Sequence, residues 1–96
     1  MSTTAFDPDD IPVMAATFRL QWEEAQDSYV ILYPEGMIKL NPTAGEILSR
    51  CDGERTVAAV IEDLQQKFPD ADSLTSDVLN FLSTAHEHQW IRHKSA

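Results

Sequence analysis

The hydrophobic period of this chain changes once, at Asn41-Pro42-Thr43, and that change restricts the fold more than any other feature. Before it, side chains alternate or run apolar on both faces, the signature of strands. After it, apolar residues recur every three or four positions, the signature of helices. A sheet-forming half therefore precedes a helix-forming half.

In the first half, Phe18, Leu20 and Trp22 fall on one face, and Thr17, Arg19, Gln21 and Glu23 on the other. This predicts a half-buried strand. Glu24-Ala25-Gln26-Asp27 can turn the chain. Residues 29–33 are apolar on both faces and rich in β-formers, which predicts a central second strand. In Pro34-Glu35-Gly36, proline suits the first corner of a type I turn. Glycine suits the left-handed position of a G1 bulge, so a three-residue hairpin is expected. Residues 37–40 are then a short third strand. With the second strand central, the third is a sheet edge.

In the second half, Ala44, Ile47, Leu48 and Cys51 mark a short amphipathic helix. Thr43 and Glu46 have the spacing of a capping box, and Asp52-Gly53 stops the helix. Thr56 caps a second helix with a stripe of Val57, Val60, Ile61, Leu64 and Phe68, ended by Pro69. A third begins near Ser73 or Thr75. It carries Leu74, Val78, Phe81, Leu82 and Ala85, and is expected to reach about Trp90. The order β-β-β-α-α-α gives an α+β domain, because a three-strand antiparallel meander cannot cover its own apolar face and needs the three α-helices against it.

At 96 residues the chain holds one domain. Residues 1–12, with Asp7-Pro8-Asp9-Asp10 and Ile11-Pro12, read as a flexible acidic N-terminal arm that Phe6 can anchor on the surface. Residues 13–96 read as the domain itself. The chain carries 16 acidic and 7 basic residues, a formal net charge of −9. Nucleic acid and anionic membrane surfaces are disfavoured partners on that balance. The arm lacks the apolar run of a signal peptide, and a cytoplasmic location is expected.

Motifs for chemistry are sparse. Cys51 is the only cysteine, and its place on an apolar stripe marks it as a small buried hydrophobe rather than a nucleophile. His86 and His88 point roughly 200° apart on a helix. His86 and His93 share a face only if the helix continues, and no third ligand joins them. The adjacent pairs Asp9/Asp10, Glu23/Glu24 and Glu62/Asp63 read as solvated charge. With three glycines there is no phosphate-cradling loop. No cofactor or metal is expected, and the domain reads as a non-enzymatic binding module. Trp22 and Trp90 read as core or lid residues, with Trp90 also suited to a partner surface.

A set of segments resembles one family. Phe18-Arg19-Leu20-Gln21-Trp22-Glu23, Tyr33-Pro34-Glu35-Gly36-Met37, Lys39-Leu40-Asn41 and Cys51-Asp52-Gly53 are similar, in order and spacing, to the pyrroloquinoline quinone (PQQ) biosynthesis protein D family (PqqD). Phe68-Pro69, Asp77-Val78 and Phe81-Leu82 continue the likeness. The resemblance implies a winged-helix-like fold and a peptide chaperone, the precursor-peptide recognition element of a ribosomal peptide pathway. Its expected partners are the precursor A peptide and the radical S-adenosylmethionine E protein, which cross-links a Glu and a Tyr of that peptide. The peptide is expected to add as a strand beside the third strand, against the third helix. Candidate contacts are Gly36, Met37, Ile38, Lys39 and Leu40 on the strand, and Val78, Phe81, Leu82 and Ala85 on the helix. Met37 and Lys39 share one face, Ile38 and Leu40 the other, and sequence leaves open which face lines the groove. Lys39 suits an acidic group on the peptide or simply guards an exposed edge. The alternative is a structural subunit of the modifying enzyme without its own peptide specificity. DNA binding ranks below both, because the second and third helices carry Glu62, Asp63, Asp77 and Glu87 against Lys67. An open edge also invites a homodimer.

Overall fold

A computed structural model describes residues 6–94. The elements are β1 (Pro12–Met14), β2 (Arg19–Glu23), a 3-10 turn (Glu24–Gln26), β3 (Ser28–Tyr33), β4 (Gly36–Lys39), α1 (Pro42–Leu48), α2 (Val57–Lys67), α3 (Leu74–Glu87) and β5 (Ile91–His93). The meander β2-β3-β4 and the three helices are the α+β arrangement expected from the period change.

Register fixes the faces of the meander. Leu20, Ile31 and Ile38 lie opposite one another across the three strands, as do Gln21, Val30 and Lys39. The first row faces the helices: Ile31 is fully buried in the core, and Leu20 and Ile38 pack against it. Val30, on the other face, is also fully buried. Burial on both faces is why residues 29–33 show no alternation.

The hairpin is tighter than its sequence suggests. Tyr33 pairs with Gly36, so the loop is the two residues Pro34 and Glu35. Gly36 has no positive φ, and no G1 bulge forms. The left-handed residues are instead Asp27, which closes the β2–β3 connection, and Gly53 and Gln89.

Two helix ends also differ from expectation. Asn41, not Thr43, caps α1: its Oδ1 accepts from Ala44 N at 2.7 Å, with Pro42 in the first turn. Asparagine is as good a cap as threonine, and proline has no N–H to leave unpaired there. Thr56 does cap α2, accepting from Ala59 N. α3 ends at Glu87, and Gln89 at φ 65° turns the chain into β5.

β5 pairs antiparallel with β1 to form a second, two-stranded sheet. Three-residue strands show no usable period, so this sheet was not legible beforehand. Residues 6–12, set apart above as an arm, lie against the domain, while residues 1–5 of that arm fall outside the described residues. Phe6 is 1% exposed and stacks on His93 with ring centroids 4.1 Å apart. Asp10 O accepts from Val57 N at 2.8 Å and Pro8 O from Ala58 N at 3.0 Å. Those two donors belong to the first turn of α2, where no intrahelical partner exists. The segment thus completes the helix cap that Thr56 begins.

Candidate functional site

β4 is a terminal strand of its sheet, with β3 on one side and no strand on the other among the described residues. Its hydrogen-bonding direction follows from one contact. Leu40 N donates to Tyr29 O at 3.0 Å. In an antiparallel ladder the bonding residues alternate, so Ile38 and Gly36 also turn their backbone groups toward β3. Met37 and Lys39 turn theirs outward. The open edge therefore offers the N–H and C=O of Met37 and Lys39, and these are the groups an added strand can pair with.

Side chains divide the other way. Ile38 and Leu40 face the helices; Leu40 is a core residue at 5% exposure and Ile38 is half-buried against the core. Met37 (46% exposed) and Lys39 are on the opposite face. Gly36 is exposed at the start of the strand.

On α3, Phe81 is half-buried and packs against the same core cluster as Ile38. Val78, Leu82 and Ala85 are fully buried. The structure thus joins the strand and helix candidates through one apolar cluster, but it leaves only Phe81 of the four helix residues with accessible surface. Amphipathic spacing marks a buried stripe as a whole. It does not separate the residues at the stripe's rim from those at its centre.

A cleft of about 180 Å³ opens between α1, the end of α2 and the start of α3. Ile47, Leu64 and Leu74 form its apolar floor, Phe68 stands at its side 39% exposed, and Glu46 and Asp77 supply carboxylates. Its parts come from three helices, and no local motif announces it.

The charged groups tie α1 to α2. Arg50, on the turn after α1, bonds Glu46 at 2.8 Å and the Asp63 carboxylate of α2, and Lys67 reaches the other Glu46 oxygen at 2.8 Å. The Lys67 hydrogen bond, then that of Arg50, holds the Glu46 carboxyl below its ordinary value despite some burial. Arg50 does the same for Asp63. Burial pushes the Cys51 thiol up to about 12, so it stays protonated and unreactive at neutral pH. His86 and His93 lie 5.2 Å apart, each in contact with the Phe6 ring, and His88 stacks on Trp90 at 4.8 Å. Among the described residues no group of three metal-ligating side chains is found. Among the described residues no helix is long and apolar enough to cross a membrane.

Comparison with known proteins gives consistent results. The family model "Coenzyme PQQ synthesis protein D (PqqD)" matches residues 28–91. A protein of Azotobacter vinelandii named PqqA binding protein is 49% identical over 83 residues, 86% of this chain and 90% of that one. Its namesake in Klebsiella pneumoniae is 55% identical over 74 residues, 77% of this chain and 80% of the relative. Among solved structures, the PqqD truncation of Methylobacterium extorquens PqqCD superposes with a TM-score of 0.74 at 27% identity, covering 93% of this chain and 96% of the other. That structure is described as a functional, stand-alone recognition element for ribosomally synthesized and post-translationally modified peptides.

Proposed function

The chain belongs to the coenzyme PQQ synthesis protein D (PqqD) family, and from that premise we propose that it is a cytoplasmic peptide chaperone that binds the PQQ precursor A peptide. The peptide adds as a strand to β4, pairing with the outward N–H and C=O groups of Met37 and Lys39. Gly36 leaves the strand's entrance clear. Side chains on the inner face of the added strand meet Ile38 and Phe81. Leu40, Val78, Leu82 and Ala85 support that wall from within the core and do not touch the peptide. The bound peptide is then presented to the radical S-adenosylmethionine E protein. The domain supplies no chemistry of its own to the cross-linking.

The observation that carries this reading is the open β4 edge, with Ile38 on that strand and Phe81 on α3 packed against the same apolar core. Backbone pairing supplies affinity to any extended segment, and the side-chain wall supplies selection. β2 is also a terminal strand, but Arg19, Gln21 and Glu23 line it with polar groups that discourage pairing.

The test is a titration of isotope-labelled protein with the precursor peptide, following backbone amides. Shifts are expected to centre on residues 36–40 and on α3 around Phe81. Shifts that miss both would refute the groove. The structural-subunit alternative expects no affinity for the free peptide and tight binding to the enzyme alone, so calorimetry with each partner separates the two.

A further inference from the structure

The cleft between α1, the end of α2 and the start of α3 is not used by strand addition at β4. Its size limits what it can hold. At about 180 Å³ it is smaller than the roughly 300–1,000 Å³ of sites that enclose a small molecule. It is close to the roughly 150 Å³ of an apolar cavity that takes a benzene ring. One bulky apolar side chain therefore fits it, and a whole cofactor does not. Ile47, Leu64, Leu74 and Val78 give it a buried floor, and Phe68, 39% exposed, leaves an apolar ring at its side.

Once the ion pairs are set aside, the charge around the cleft is of one sign. Glu46 is bonded by Lys67 and Arg50, and Arg50 also holds Asp63, so these four groups balance. Three carboxylates remain. Asp77, in the first turn of α3, lines the cleft and accepts from Ser73 Oγ at 3.1 Å. Asp70 and Asp72 are exposed and flank Ala71, which lines the cleft from the α2–α3 loop. Among the described residues no lysine, arginine or histidine pairs with any of these three. An apolar hole sized for one side chain thus sits beside three carboxylates without a counter-charge.

We propose that this cleft is a second docking site, for a basic segment of a partner protein in which a leucine or aromatic side chain stands next to a lysine or arginine. The apolar side chain fills the cleft over Ile47 and Leu74, against Phe68. The neighbouring cation lies among Asp70, Asp72 and Asp77, with its aliphatic stem along the Phe68 ring. One buried anchor supplies most of the affinity, and the charges set where it lands. A second copy of this chain is a poor occupant, because at a net charge of −9 it is repelled. The three carboxylates turn away an acidic segment for the same reason. The proposal does not rest on peptide capture at β4, and the failure of either leaves the other standing.

The test titrates the full chain, isotope-labelled, with the capped tripeptide Lys-Leu-Lys, and in parallel with Lys-Gly-Lys and Glu-Leu-Glu. Lys-Leu-Lys is expected to shift the methyl resonances of Ile47 and Leu74 and the amide of Ala71, with a dissociation constant on the order of 1 mM. The shift should weaken with salt. Lys-Gly-Lys keeps the charge and lacks the anchor, so it should leave the methyl groups unmoved. Glu-Leu-Glu should not bind. Ala71→Trp, at an exposed position on the cleft wall, should cover the hole and abolish the methyl shifts. Asp70→Lys with Asp72→Lys, both at exposed positions, should weaken binding roughly five- to tenfold with the spectrum otherwise intact. Equal methyl shifts with Lys-Gly-Lys or Glu-Leu-Glu, or an unaltered affinity in either variant, would overturn the proposal.

Discussion

At Gly45 the first helix and the central strand come closer than a side chain permits. A Cβ placed there would lie 2.8 Å from Tyr29 Cδ2 and 3.1 Å from its Cβ. Alanine is worth up to about 1 kcal/mol over glycine inside a helix. The contact is with the near part of a packed ring, so repacking outweighs that gain. Gly45→Ala should therefore lower stability by about 1–3 kcal/mol, read from the urea midpoint. The Arg50 network makes a second residue-level prediction, about pH. Glu46, Asp52 and Asp63 are all held below their ordinary carboxyl values in the fold. The unfolded chain then binds more protons than the folded one over that interval. The stabilisation is complete above the ordinary values, 4.5 for Glu46 and 3.8 for the aspartates, and is lost as pH falls through the lowered ones. Arg50→Gln should flatten the fall in urea midpoint on acidification without abolishing it. Asp52 keeps its bonds from Glu54 N and Arg55 N, and Glu46 keeps Lys67. An unchanged acid profile in that variant would count against the pairing.

Among the elements, β4 makes the sharpest claim. Ile38 spends its N–H within the sheet, whereas that of Lys39 points out of it. Proline is tolerated at an edge where the missing donor faces away. Lys39→Pro should keep the fold and weaken peptide binding, with Lys39→Gln as the control for charge. Ile38→Pro should instead unfold the hairpin, and circular dichroism separates the two outcomes. If Lys39→Pro folds and binds the peptide as well as Lys39→Gln does, the peptide is not paired at that N–H. The first described residues carry the other element-level prediction. Phe6→Ala removes a fully buried ring and should cost about 3–5 kcal/mol. The amides of Val57 and Ala58, capped by Asp10 and Pro8, should then exchange faster with solvent. The meander and the three helices were legible because each shows its own period over several residues. The β1–β5 pair was not, since it depends on the two ends of the chain meeting; Phe6 was marked as an anchor, but not its seat against His86 and His93. The groove was half legible. Spacing marked the buried stripe of α3 without singling out Phe81 as its exposed member, and only the register, through Leu40 N and Tyr29 O, tells which strand residues face outward.

For the molecule as a whole, one open edge supports one added strand. A second copy of the chain and the precursor peptide would compete for the same Met37 and Lys39 groups, since each can complete that ladder only once. The net charge of −9 opposes pairing between copies, and the repulsion is screened as salt rises. These two facts combine into a testable pattern. Any dimer that forms through β4 should grow with ionic strength and with protein concentration, and peptide should dissociate it. Sedimentation velocity at low and high salt, with and without peptide, reads both trends. A dimer that persists with one peptide bound per chain would place the contact elsewhere, and β4 would stay open in it. A dimer that excludes the peptide would make self-association a limit on capture, with apparent affinity falling as the protein is concentrated. The same charge favours the approach of a basic partner over most of the surface.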